Sequence, residues 1–142
     1  TKFISENRYV INPMHTLEGG GGISSPPYVV LENPSDEDLT NKLLEVLELS
    51  KVGVSNDDVE NESNKKEFFN AFGIKNMKSL YDDSIYLSVV SKTSDMLFIP
   101  SVNKGSRQGF RDIKDRIIIP ADSEFDNVVE TLKVALAKST MD

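Results

Sequence analysis

Residues 19–51 read GGGGISSPPYVVLENPSDEDLTNKLLEVLELSK. Four glycines, Gly19 to Gly22, open this stretch, and Pro26-Pro27 stops any helix there. Tyr28-Val29-Val30-Leu31 then predicts a short strand, because β-branched and aromatic residues suit a pleated, half-buried surface. Asn33-Pro34-Ser35 turns the chain into a helix. Ser35 is placed to cap it, and Asp36, Glu37 and Asp38 sit at the positive end of its dipole. Leu39, Leu43, Val46, Leu47 and Ser50 recur at helical spacing and give one apolar face.

The same order recurs near the other end of the chain. Met96–Pro100 (MLFIP) is a strand, a Gly-containing loop follows, and Arg116–Pro120 (RIIIP) is a second strand. Asp122 or Ser123 is placed to cap a helix running to Lys138, with Phe125, Val128, Val129, Leu132, Ala135 and Leu136 on its apolar face. With a shift of 89 residues, Tyr28-Val29-Val30 falls on Ile117-Ile118-Ile119 and Leu39 falls on Val128. Each unit is a strand, a wide loop, a strand and a covering helix, and one unit alone cannot bury both sheet faces. The expectation is a single domain over 1–142, with pseudo-repeats at 1–51 and 84–142 and a connector at 52–83. Its class is α+β: a mostly antiparallel sheet of about six to eight strands with two main helices and one or two short ones.

Shorter elements fill the rest. Phe3-Ile4 and Tyr9-Val10-Ile11 are strand candidates, and Met14 to Ile23 reads as a loop. Ser63 is placed to cap a short helix carrying Phe68, Phe69 and Phe72, with Gly73 beyond its end. Ile74 to Tyr81 is a further short helix or turn. Ser84–Lys92 (SIYLSVVSK) is a strand that pairs with Met96–Pro100 through Thr93-Ser94-Asp95.

The chain has 142 residues, no cysteine and a net charge of −7. That composition fits a reducing compartment, and with no run of about 18 apolar residues and no signal pattern the expectation is a cytoplasmic protein with no membrane contact. Residues 1–71 carry 6 Lys/Arg against 13 Asp/Glu, whereas residues 72–142 carry 10 of each. The whole excess of acid therefore lies in the first half. Such a surface repels nucleic-acid phosphates and attracts basic proteins, or it serves solubility alone.

Familiar chemistry finds little footing. The glycine tract is followed by prolines and a strand, without the helix and Lys-Ser/Thr pair that a phosphate loop needs. His15, the single histidine, lies in the first loop, where an exposed or hydrogen-bonded imidazole is the default. Ser55–Glu62 holds Asp57, Asp58, Glu60 and Glu62 and no base, and a solvated loop is the plain reading. An EF-hand starting at Asp57 lacks its Gly at position six and its Glu at position twelve. A paired Asp/Glu hydrolase stays open at this level, although no carboxylate sits in an apolar run that would raise its pKa. The expectation is a protein with no catalytic residues, no metal and no cofactor.

GGGISSPPYVVLENPSDEDLTNKLLEVLELSK, FGIKNMKSLYDDSIYLSVV and IIIP with its final helix resemble the immunity proteins of contact-dependent growth inhibition systems, the CdiI type. The resemblance covers nearly all of the chain and rests on structural motifs. It implies a cytosolic antidote that binds one to one to the C-terminal toxin domain of a cognate CdiA protein, in many cases a nuclease and often an RNase. No contact residue carries over by motif. Charge and residue type point to Asp57, Asp58, Glu60, Glu62, Asp82 and Asp83 as toxin contacts. Tyr81 is an aromatic anchor candidate or a core residue. A nucleic-acid-binding domain is the alternative, using Lys104, Arg107, Arg111, Lys114 and Arg116, although Phe110 is the only aromatic in that loop.

Overall fold

The computed structural model describes residues 1–142. Along the chain run β1 (Lys2–Phe3), β2 (Arg8–Ile11), β3 (Met14–Leu17), β4 (Gly22–Ser24), β5 (Val29–Glu32), α1 (Asp36–Leu47), β6 (Val52–Val54), α2 (Asn56–Val59) and α3 (Glu62–Phe72). Then come α4 (Met77–Leu80), β7 (Ser84–Ile85), β8 (Leu87–Ser91), β9 (Asp95–Asn103), β10 (Phe110–Asp112), β11 (Ile117–Pro120), α5 (Phe125–Lys138) and β12 (Thr140–Met141). The fold is α+β. All strand pairs are antiparallel except β3 with β6 and β9 with β12.

The strands form three sheets, in the order β5-β2-β1-β7, around β9, and in the order β4-β3-β6. Strand β9 is the spine of the second. β8 and β11 flank its first part, while β10 and β12 flank Ser101–Asn103. Pro100 sits inside this central strand opposite Leu87, a pairing position that needs no N–H, and its carbonyl accepts from the Ile113 N–H at 3.0 Å. Tyr86 separates β7 from β8, so one ribbon belongs first to one sheet and then to the next. That break divides the strands among sheets where a single sheet was expected.

Both strand–loop–strand–helix units are present, as β2–β5–α1 and β9–β11–α5. Their registers differ. Val10 faces Val30, and the shift of 89 would set Ile99 against Ile119, but Ile119 faces Met96. Between the β9 sheet and the two long helices lies a core of Leu39, Met96, Phe98, Ile119, Val128, Leu132 and Ala135. A second core joins Phe3, Val10, Phe72 and Leu80, so the first sheet is covered on both faces. There Phe68 stacks on Phe72 at 4.2 Å, and Tyr28 meets both edge-on at 5.6 and 5.9 Å.

Some local expectations change. Met14–Ile23 is a hairpin, with Gly20 (φ 92°) and Gly21 (φ 82°) making the turn between β3 and β4. Its inward positions are His15 and Leu17, a weak apolar signal beside a glycine tract. The acidic run contains the short helix α2, anchored by buried Val59. Asn61 caps α3 in place of Ser63, accepting from the Asn64 N–H at 2.9 Å, because the helix starts earlier. α5 has Glu124 at its cap position and no side-chain cap bond, while Ser123 Oγ donates instead to the Pro120 carbonyl at 2.6 Å.

Candidate functional site

Every one of the thirteen carboxylates in residues 1–71 is exposed. Glu6 pairs with Arg8, Glu45 with Lys42 and Asp36 with Lys133, and the other ten have no cation within 4.0 Å. Asp36, Glu37 and Asp38 occupy the first turn of α1, where the Ser35 hydroxyl accepts from the Asp38 N–H at 3.1 Å. Asp57 and Asp58 occupy the first turn of α2, and Glu62 that of α3. Glu60 lies between, accepting from the Asn56 side chain at 2.8 Å. Helix geometry thus displays these acids outward, while Val59 holds the segment to the body.

The second predicted group sits elsewhere. Tyr81 is half-buried at the end of α4, with its ring 5.0 Å from that of Phe110. Its carbonyl accepts from Asn103 Nδ2 at 3.1 Å. The ring serves the second core, the alternative weighed for it. Asp82 is exposed. The Asp83 carboxylate accepts from the Ser5 N–H at 2.9 Å and from the Ser5 hydroxyl, and these two bonds hold it below the usual carboxylate range. Asp83 therefore ties the β1–β2 turn to the start of β7.

The basic stretch is more ordered than a loop. β10 pairs with β9, Lys104 meets Asp142 at 3.2 Å, and Lys138 bonds Asp115. Arg107, Arg111, Lys114 and Arg116 are exposed and unpaired. Phe110, the aromatic a base would stack on, is turned inward onto Tyr86 at 5.2 Å and Tyr81. His15 is 8 % exposed, and its Nδ1 accepts from the Lys51 N–H at 3.0 Å. Burial, with Lys51 nearby, pushes its pKa down, which suits a neutral acceptor.

One feature escaped the sequence reading. A groove of about 630 Å³ opens beside β8, with Tyr9, Ile11, Leu43, Leu47, Leu87 and Val89 among its lining residues. These come from three separate segments, so no contiguous motif announces it.

No protein-family model matches the chain, and none of the curated proteins matches it. One solved structure that does match is the protein of unknown function NMB0488 from Neisseria meningitidis, with a TM-score of 0.70 and 17% identity. The match covers 96% of this chain and 98% of that one. At that identity the two chains share a fold. No helix of the protein is long and apolar enough to cross a membrane.

Proposed function

We propose that this protein is an immunity protein of the contact-dependent growth inhibition type. It acts in the bacterial cytoplasm, binds one to one to the C-terminal toxin domain of a cognate CdiA protein, and neutralises it by covering a basic nuclease active site. The observation that carries this reading is the set of exposed, unpaired carboxylates in residues 1–71. A nuclease site must hold phosphate and is therefore basic. An acidic surface on a rigid scaffold competes for that site and speeds encounter by steering. Such an inhibitor needs roughly 800 Å² of contact surface and no catalytic group of its own. The likeness of FGIKNMKSLYDDSIYLSVV and the two strand–helix units to CdiI proteins supports the same reading.

Co-expression with the toxin domain encoded beside this gene is the test. Cells that make both should survive, and cells that die equally with and without this protein would refute the proposal. Reversing Asp57 and Asp58 to Lys should lower the association rate by up to about tenfold at low salt and leave dissociation nearly unchanged. If nucleic acid is the true partner, a gel shift at low salt will retard RNA, and Arg107→Glu with Arg111→Glu will abolish the shift.

A further inference from the structure

We infer that a second copy of this chain docks on the free edge of β11, the two strands pairing antiparallel about a two-fold axis at Ile118. This goes beyond the toxin reading and does not depend on it.

In antiparallel strands alternate residues turn their N–H and C=O toward the same neighbour. The Lys92 N–H donates to the Asp95 carbonyl at 2.7 Å, so Asp95, Leu97 and Ile99 face β8. On the other side of β9 the Ala121 N–H donates to the Ser94 carbonyl at 2.9 Å and the Ile113 N–H to the Pro100 carbonyl at 3.0 Å. β10 and β11 therefore form one outer strand along that side. In the same phase Ile117 and Ile119 bond to β9. Ile118 turns its N–H and C=O outward, where no further strand pairs with β11.

That open edge is short at both ends. Before it, four residues, Ile113 to Arg116, oppose two, Ile99 and Pro100, and within this bulge the Arg116 N–H donates to the Lys114 carbonyl at 3.0 Å. After it, Pro120 has no N–H, and its carbonyl accepts from the Ser123 N–H at 3.1 Å and the Ser123 hydroxyl at 2.6 Å. Bulges and prolines blunt an edge against long foreign strands. What stays open is one N–H and one C=O, both of Ile118. A longer strand would gain bonds at one of its residues alone. A second copy turned by a two-fold axis satisfies its own open groups and this chain's with the same two bonds.

Side chains and charge agree. Ile119 faces the larger core, so Ile118 points to the opposite face of the sheet, where it is 64 % exposed. It lies opposite Leu97, and Leu97 opposite Val90, an apolar row across three strands that the second Ile118 extends. Lys114 and Arg116 precede β11, and Asp122 and Glu124 follow it. All four are exposed and make no ion pair within the chain. Asp115, between the two bases, is bonded to Lys138. Antiparallel pairing brings the bases of each copy to the acids of the other, twice over, whereas parallel pairing sets like on like. The Lys138 bond also places the last turn of α5 beside the start of β11. Val134, one turn earlier on that helix face and 47 % exposed, flanks the same edge. A contact this small falls below about 1,200 Å², the range of weak and reversible pairs.

The test is sedimentation velocity of the full chain from about 10 µM to about 1 mM, with amide hydrogen exchange at Ile118 followed over the same range. Dimer should appear in the upper part of that range. Exchange at Ile118 should slow with it by at least about threefold, with Ile117 and Ile119 unchanged. Ile118→Lys sets two like charges on the axis and should weaken association at least about tenfold, with an unchanged circular dichroism spectrum. The double variants Lys114→Glu with Arg116→Glu, and Asp122→Lys with Glu124→Lys, should each stay monomeric. Their equimolar mixture should dimerise again. If a charge-swapped variant does not fold, the loss of dimer in Ile118→Lys decides alone. A dimer that Ile118→Lys leaves intact, or a mixture of folded variants that stays monomeric, would overturn the inference. So would a chain that is monomeric at about 1 mM, which would leave this edge to a segment of another protein.

Discussion

Arg8 shows what a single side chain does here. It follows the Asn7 turn and starts β2, and nothing in its sequence context marks it. In the fold its Nη1 and Nη2 donate to the carbonyls of Ala71 and Phe72 at 3.2 and 3.0 Å, closing the C-terminal end of α3. Its guanidinium lies 4.2 Å from the Phe3 ring centre. A cation at that helix end is favoured by the dipole, and its planar fork serves two carbonyls at once. Arg8→Met should cost about 2–3 kcal/mol in urea unfolding, and Arg8→Lys should recover only part of it. His15 sets a pH dependence. Its folded pKa lies below the unfolded value of 6.5, so the unfolded chain binds the extra proton and stability rises with pH. Stability is therefore lost as pH falls below 6.5 toward the folded pKa. The melting temperature should drop between pH 7 and pH 5, and His15→Gln should flatten that drop while keeping an acceptor for the Lys51 N–H.

At the scale of elements, caps distinguish the two long helices. α1 carries its Ser35 cap, as read from the sequence, and Ser35→Ala should cost about 1 kcal/mol by thermal unfolding. α5 has Glu124 at its N-cap with no side-chain cap bond. Glu124→Ser should therefore stabilise the protein by about 0.5–1 kcal/mol, and an unchanged or lower melting temperature would count against that account of the helix start. Gly73, expected beyond the end of α3, sits at its C-cap with φ 66° and passes its N–H to the Asn70 carbonyl. These ends were readable because caps are local chemistry. The third sheet was not. Gly22 to Ser24 pairs with Met14 to Thr16 in a local hairpin whose apolar signal is weak, and the third strand joins only through the distant pairing of Thr16 with Val52.

For the whole molecule, β9 carries the most weight. Phe98 is fully buried at the centre of the larger core, and Phe98→Ala should cost about 3–5 kcal/mol, with a midpoint shift in urea and little change in slope. Charge is organised on the same scale. Carboxylates stay outside because burying one unpaired is costly, so their exposure followed from composition. Their grouping did not. Asp57 and Asp58 sit on α2, which packs against β4, whereas Asp83 is bound to Ser5. Tyr81, an anchor by residue type, turns toward Phe110 because the end of α4 faces the second core.

Periodicity, caps and turn residues are properties of neighbours along the chain. They were enough to establish an α+β class, the two strand–helix units, the start of α1, the C-terminal end of α3, and an acidic first half. Sheet membership, the register difference between the units, the inward turn of Tyr81 and Phe110, and the groove beside β8 came only with the tertiary structure. Each depends on which groups meet across long stretches of chain, and periodicity along the chain carries no record of those meetings.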